Sequence, residues 1–294
     1  MANDICQRQN QAEVLKCLVV QRRLYSFVKC WQIIPVCATA LSAAVPLAFE
    51  KSSDGCGLGD WVSAALAVVV WASTLLVGMF RDSAKRVAVS FQQYVDYRLF
   101  SGAMRQCGEW PGMPLPSEIA QRISKVAQRD IECEKVKDWY SDYSSFNEQY
   151  AVLCCQKENV RWDRALRILI LVILVCALVG WIMWGAVRLY DVTLRCALPL
   201  LGWYCGGVVA VCRLCILLYK DVLRIRRMEE AFKQAEAHIV QGVDSAGELM
   251  KLQELIHEHR KCSFLVPDIV YKLSRGKFQA KEDANARCHQ EMLS

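Results

Sequence analysis

The sequence predicts an all-α integral membrane protein: four transmembrane helices and a helical cytoplasmic domain built from the N-terminal, middle and C-terminal segments. Three observations predict it. Residues 30–49, 61–80, 168–187 and 196–219 are long apolar runs; the first three hold no Asp, Glu, Lys, Arg or His, and the fourth holds only Arg213. A helix needs about 20 such residues to cross roughly 30 Å of hydrocarbon. Lys and Arg alternate in density between the segments that join these runs. No segment of useful length alternates apolar and polar residues with period two, so no strand is expected. The averages (54% hydrophobic, 22% charged, mean hydropathy +0.17) decide nothing; the segregation of charge from apolar runs does.

Taken in order, residues 1–29 read as a cytoplasmic helix, with Val14, Leu18 and Tyr25 near helical spacing. Residues 30–80 form a first transmembrane hairpin, turning at Ser52-Ser53-Asp54-Gly55-Cys56-Gly57, a run of turn formers. Its first run follows a polar segment carrying both charge signs, which predicts a permanent span rather than a cleaved leader. Residues 81–167 form a cytoplasmic helical region. Within it, 83–100 is an amphipathic helix, and the prolines at 111, 114 and 116 exclude a helix interior. Ser117 is expected to cap a helix over 118–137, and 148–167 is a helix entering the third run. Residues 168–219 form a second hairpin, turning near Asp191. Residues 220–294 return to the cytoplasm as helices over 220–238 and 248–260, with Gly242 and Gly247 bracketing a turn and Pro267 starting a short terminal helical region.

Orientation follows from the Lys and Arg count outside the runs. Residues 1–29 carry five, 81–163 twelve and 220–294 thirteen, whereas the link 50–60 carries only Lys51 and 188–195 carries two. Both termini and the middle segment are therefore expected in the cytoplasm, and almost nothing outside. The net charge of +6 reads as this topology and as attraction to anionic membrane lipids, not as DNA binding.

No catalytic constellation is present: no nucleophile elbow, phosphate-cradling Gly-Lys loop, zinc-protease motif or dinucleotide fingerprint. No enzyme activity, cofactor or metal is expected. Cys212 and Cys215 have CxxC spacing but no accompanying ligand pair. His257, His259 and Cys262 could be drawn as metal ligands, but helix positions two apart point away from each other, and Glu254 and Glu258 suggest a solvated face. Arg213 is a candidate pore-lining residue. An arginine at a span's centre costs roughly 2.5–3.5 kcal/mol on insertion scales, though near the span's end it can also snorkel to the interface. Gly202, Gly206 and Gly207 suggest close helix packing.

Three cytoplasmic segments are denser in polar and aromatic residues than packing requires. One is Gln21-Arg22-Arg23-Leu24-Tyr25 with Lys29. Another runs through Asp138-Trp139-Tyr140, Cys155-Gln156-Lys157-Glu158-Asn159, Trp162-Asp163 and Leu166-Arg167. The third holds Leu252-Gln253-Glu254-Leu255-Ile256, His259-Arg260, Val266-Pro267-Asp268, Tyr271 and Arg275. With Gln92 and Asp96-Tyr97-Arg98-Leu99-Phe100, these blocks resemble the SMODS-associated four-transmembrane effector family over nearly the whole chain. Departures from the usual pattern are Lys157 for an arginine, Val95 for an aromatic, and Ser144-Ser145-Phe146 where a proline is usual.

That resemblance implies a pore-forming effector of bacterial antiphage systems in the bacterial inner membrane, answering a cyclic oligonucleotide made by a partner nucleotidyltransferase. Four spans cannot enclose a water-filled lumen alone, so a pore implies a homo-oligomer. Arg22, Arg23, Tyr25, Trp139, Tyr140, Arg161, Trp162, Arg164 and Arg167 are candidate ligand-binding residues, since arginines hold phosphates and aromatics stack on bases. The same residues also suit interfacial anchoring, with Gln156, Asn159 and Asp163 in an internal hydrogen-bond network. A membrane-anchored scaffold that recruits a soluble partner is the alternative reading.

Overall fold

The computed structural model describes residues 4–48, 58–104, 109–110, 112–190 and 194–293. Among them every regular element is helical. In chain order these are α1 (Ile5–Arg8), α2 (Ala12–Ala48), α3 (Leu58–Phe100), a 3₁₀ turn (Ser101–Met104), α4 (Pro116–Ile123), α5 (Gln128–Glu134), α6 (Glu148–Leu189), α7 (Leu194–Val240), α8 (Ala246–Cys262) and α9 (Asp268–Leu293). The expected turns at 52–57 and near Asp191 lie outside the described residues.

Helix α2 packs along α3, and α6 packs along α7. Each long helix carries a polar, core-forming part and an apolar part without a break between them. The expected boundaries at 29/30, 80/81, 167/168 and 219/220 therefore fall inside continuous helices.

The main core is formed by the polar parts of these helices. Its contributors recur at helical spacing: Val14 and Leu18 on α2, Phe91, Val95 and Leu99 on α3, Ile225 and Phe232 on α7, and Leu249, Leu252 and Ile256 on α8. Residues four apart share a helix face, so each stripe meets the others in one interior. A second, smaller cluster of Leu166, Ile170, Leu218 and Val266 sits where α6 and α7 leave that core.

Further along α6 the pattern inverts, and Val172, Ile173, Val179, Met183 and Val187 are exposed. Among the described residues, Glu148–Val187 is the helix long and apolar enough to cross a membrane, with a mean hydropathy of 2.8 over its most apolar window. Large apolar side chains left outward over such a length have no aqueous rationale. The other three runs lie wholly or partly on residues whose side chains are not described. The paired helices approach closely at one point: a Cβ on Gly185 would run into the Tyr204 ring. Tyr204 also donates its hydroxyl to the Trp181 carbonyl at 3.0 Å. Gly207 is buried beside Trp181, but an added Cβ would meet that ring at ordinary contact distance.

Three sequence expectations need correction. The single helix over 118–137 is two helices. The first starts at Pro116, not after a Ser117 cap, because proline's fixed φ and missing N–H suit the first helical position. The second is anchored by Asp130, which accepts the Ala127 N–H at 2.9 Å, and it ends at Lys135, left-handed with φ 50°. Gly242, with φ 76°, makes the turn after α7, whereas Gly247 lies inside α8. The terminal region is no short stub but the 26 residues of α9.

Candidate functional site

Lys29 directly precedes the first apolar run and Arg167 directly precedes the third. At that level a cavity of about 230 Å³ opens between the helices. Helix α2 lines it with Gln21, Tyr25 and Lys29, and α9 with Tyr271, Arg275 and Gln279. Each set is spaced by four, which places it on one face of its helix. Helix α6 supplies Glu158, Asn159, Trp162, Asp163 and Arg167, and α8 supplies His259 and Arg260. Gln92 of α3, Trp139 just before α6, Met228 of α7 and apolar groups such as Ile256, Leu265 and Val266 also line it.

One side of the cavity is a buried ionic network. Arg167 forks onto Asp163 through Nε and Nη2, at 2.8 and 2.9 Å. Its Nη1 donates to Asp221 on α7 and to the Phe264 carbonyl, both at 2.6 Å. Asp221 also accepts the Phe264 N–H and an Arg224 N–H, at 2.8 and 2.7 Å. Arg167 and Asp221 are only 3% and 2% exposed, so this pair ties α6 to α7 just beneath their apolar parts. His259 Nε2 lies 2.8 Å from Asp163. Burial works against charge on Asp163, but Arg167 and His259 outweigh it and hold the carboxyl well below the usual range.

In a second network Tyr25 and the Gln92 amide lie 2.7 Å apart. With the amide nitrogen toward Tyr25, the Gln92 oxygen accepts from Arg260 Nε and Nη2 at 3.2 and 3.1 Å. Arg260 is paired with buried Asp96, which also accepts from Gln253 at 2.7 Å. Gln253 in turn accepts from Gln156 at 2.8 Å. Burial pushes Glu158 up to about 7, although it accepts the Ser141 N–H and the Tyr143 hydroxyl.

Of the nine candidate ligand-binding residues, Tyr25, Trp139, Trp162 and Arg167 line the cavity. Tyr140 lies behind the wall, buried, its hydroxyl accepting from Asn159 at 2.7 Å. Arg22 donates to the Glu134 carbonyl and lies 5.9 Å from the Tyr271 ring centre. Arg23 pairs with Asp130, Arg161 with Glu282 and Arg164 with Glu229. Those three arginines hold the helices together away from the cavity, and their acidic partners lie far away in the chain. Arg213 is exposed on α7 and does not reach the cavity.

The sequence reading did not nominate Gln21, Lys29, Gln92, His259, Arg260, Tyr271 or Arg275 as site residues. All seven stand in the distinctive motif segments, and the four-residue spacing of Gln21, Tyr25 and Lys29 was a further signal. Nor is the α8 histidine face solvated: His257 and His259 are 5% and 7% exposed. Burial lowers the pKa of His257, while His259 turns to Asp163. Among the described residues no group of three or more His, Cys, Asp or Glu could hold a metal ion.

The cavity thus gathers residues from all three motif segments. A family model described as the SMODS-associating 4TM effector domain matches residues 3–289. The chain belongs to that family. Almost the whole described body, from α1 to near the end of α9, lies within the match. Membership makes this chain a membrane protein and an effector of the SMODS-associated kind. No curated protein and no solved structure matches it.

Proposed function

We propose that this effector acts in antiphage defence by permeabilising the bacterial inner membrane when a cyclic nucleotide binds its cytoplasmic side. The observation that carries the reading is the position of the cavity. Helices α2, α3, α6 and α7 contribute to its wall or its ion pairs, and the same four helices carry the apolar runs. A ligand that shifts Arg167 or Lys29 acts directly on helices continuing into the bilayer.

In this reading all four runs span the membrane, with both termini and the 81–167 segment in the cytoplasm. The outward apolar faces of α6 and α7 contact lipid and neighbouring subunits, and oligomerisation encloses the conducting path. Exposed Arg213 then faces a subunit seam or the headgroups. The chain's own residues bind the signal and move the helices; no residue is assigned a bond-making role.

Dye release from vesicles holding the purified, correctly inserted protein tests the proposal. Release on adding a cyclic dinucleotide, together with a homo-oligomer in detergent, supports it. An intact membrane with every cyclic nucleotide in a purine and pyrimidine panel refutes it.

A further inference from the structure

On the reading above that the apolar runs span the membrane, we infer that the outward face of α9 lies on the cytoplasmic leaflet. Its apolar side chains enter the headgroup layer, and its lysines meet the phosphates of anionic lipids.

The start of α9 is pinned at the membrane boundary. Gln32, inside the first apolar run, donates to the Leu265 carbonyl at 3.0 Å and accepts the Leu265 N–H at 3.3 Å. Asp268, the first residue of α9, accepts from the Ser26 hydroxyl at 2.5 Å and from Lys29 at 2.6 Å. Val270, Tyr271 and Phe278 then pack against the small cluster of Leu166, Ile170, Leu218 and Val266. Leu166 lies just before the third run, Ile170 within it and Leu218 near the end of the fourth. Contact with that cluster from Val270 to Phe278 keeps α9 at this level for about two turns.

Over those turns α9 has two faces. Tyr271 and Phe278 meet the Trp162 ring, with centres 5.8 and 5.6 Å away, and Tyr271, Arg275 and Gln279 line the cavity. Ile269, Leu273, Gly276 and Ala280 follow one another at spacings of four and three, so they share the other face. All four are exposed. Ile269 is 68% exposed and Leu273 78%, and aliphatic side chains that open gain by leaving water. A helix of this kind settles with its apolar line in the boundary between headgroups and acyl chains.

Charge selects the lipid. Residues 269–281 hold Lys272, Arg275, Lys277 and Lys281 and no Asp or Glu. Lys272 and Lys277, both exposed, flank the apolar line on either side. Their stems lie along apolar surface while the ammonium groups reach the phosphates. A soluble acidic protein would match this charge, but Ile269 follows Asp268 directly, at the level where the bilayer begins. The same helix thus shows one face to the cavity and the other to the leaflet.

The test places an environment-sensitive fluorescent amino acid at Leu273, Val172 or Val243 of the full-length protein, one position at a time. Val172 is 53% exposed within the third run, and Val243 is 51% exposed beyond the far end of α7. Each protein, checked for an unchanged melting temperature in micelles, is reconstituted in phosphatidylcholine vesicles with brominated acyl chains, with and without phosphatidylglycerol. Quenching by the brominated lipid and by acrylamide in the water is then read. Expected at Leu273 is lipid quenching close to that at Val172 and protection from acrylamide, with neither at Val243. Phosphatidylglycerol raises the docked-to-free ratio of α9 about fivefold for each lysine, the worth of one such charge at an anionic surface. Lys272→Gln combined with Lys277→Gln removes that gain.

Lipid quenching at Leu273 no stronger than at Val243 would overturn the inference. Protection from acrylamide without lipid quenching would overturn it too, by putting a protein, whether a second copy or a soluble partner, on that face. A response to phosphatidylglycerol that survives the double lysine variant would overturn the role of the lysines. Val172 separates this inference from the reading beneath it. Quenching at Val172 but not at Leu273 leaves the spans standing and removes only the docked face; no quenching at either position removes both.

Discussion

Arg167→Met is the most informative single perturbation of stability. The native guanidinium makes two bonds to Asp163, one to Asp221 and one to the Phe264 carbonyl. Methionine fills similar space but supplies none of them. Asp163 keeps His259, and Asp221 keeps the Phe264 N–H and Arg224, yet two acids remain where one buried cation balanced them. Breaking a buried pair from one side costs about 3–5 kcal/mol. For a chain of this size each kcal/mol moves the melting temperature by about 2–4 °C, so Arg167→Met should melt about 6 °C or more below wild type in detergent. Asp221→Asn keeps an acceptor for Phe264, leaves Arg167 on Asp163, and should cost less. Combined with Arg167→Met it removes one of the two acids that lost their shared cation, so the double variant should melt above the Arg167→Met single, with a coupling of about 2 kcal/mol. A fall of less than about 2 °C for Arg167→Met, or a double variant whose loss equals the sum of the two singles, would refute the claim that this pair fastens α6 to α7.

Three further predictions follow from the same geometry. Glu158 is buried with its folded pKa raised from 4.5 to about 7; the proton is bound more tightly in the fold, so stability is full below pH 4.5 and declines as pH rises through 7, by about 3 kcal/mol in all. Glu158→Gln should remove that decline, seen as a melting-temperature gain over wild type that grows from pH 4.5 to pH 8; a constant gain would contradict it. Gly185→Ala puts a methyl group into the Tyr204 ring, whereas a Cβ on Gly180 meets nothing within 4 Å. The first should cost about 1–3 kcal/mol and the second be neutral or slightly stabilising, compared as melting temperatures in micelles; equal effects would show that the α6–α7 contact is not this tight. Gln253→Leu, at a site with 0% exposure, strands Gln93 and Gln156 and takes a donor from Asp96. It should cost at least about 2 kcal/mol in the same melts, and a neutral result would mean that water already fills those bonds.

Long periodic segments were the most legible part of the sequence. The stripe Val87, Phe91, Tyr94 and Leu99 and the uncharged run at 168–187 declare helices through spacing and length alone, and α3 and α6 follow. Local breaks were harder. The split between α4 and α5 depends on Asp130 bonding back to Ala127, a contact that charge patterning does not encode, and α9 depends on packing of Tyr271 and Phe278 against Trp162. The site was half legible for a similar reason. Aromatic residues such as Trp139 and Trp162 stood out and do line the cavity. Arg161 and Arg164 stood out equally, yet Glu282 and Glu229 claim them across 121 and 65 residues of chain. His259 and Arg275 reach the cavity only because α8 and α9 fold back against α6, and sequence spacing gives no hint of that return.

In the proposed mechanism, filling this cavity opens the membrane. Potassium flux from proteoliposomes measures it most directly, with wild type and Arg275→Ala reconstituted at equal density and oriented with their cavities toward the added nucleotide. Wild type should show flux on adding an activating cyclic nucleotide and none without it, and the dose response should shift to higher concentration in Arg275→Ala, which removes a cation lining the cavity. Flux that is equal with and without nucleotide, or absent from folded wild-type protein at saturating nucleotide, would contradict it.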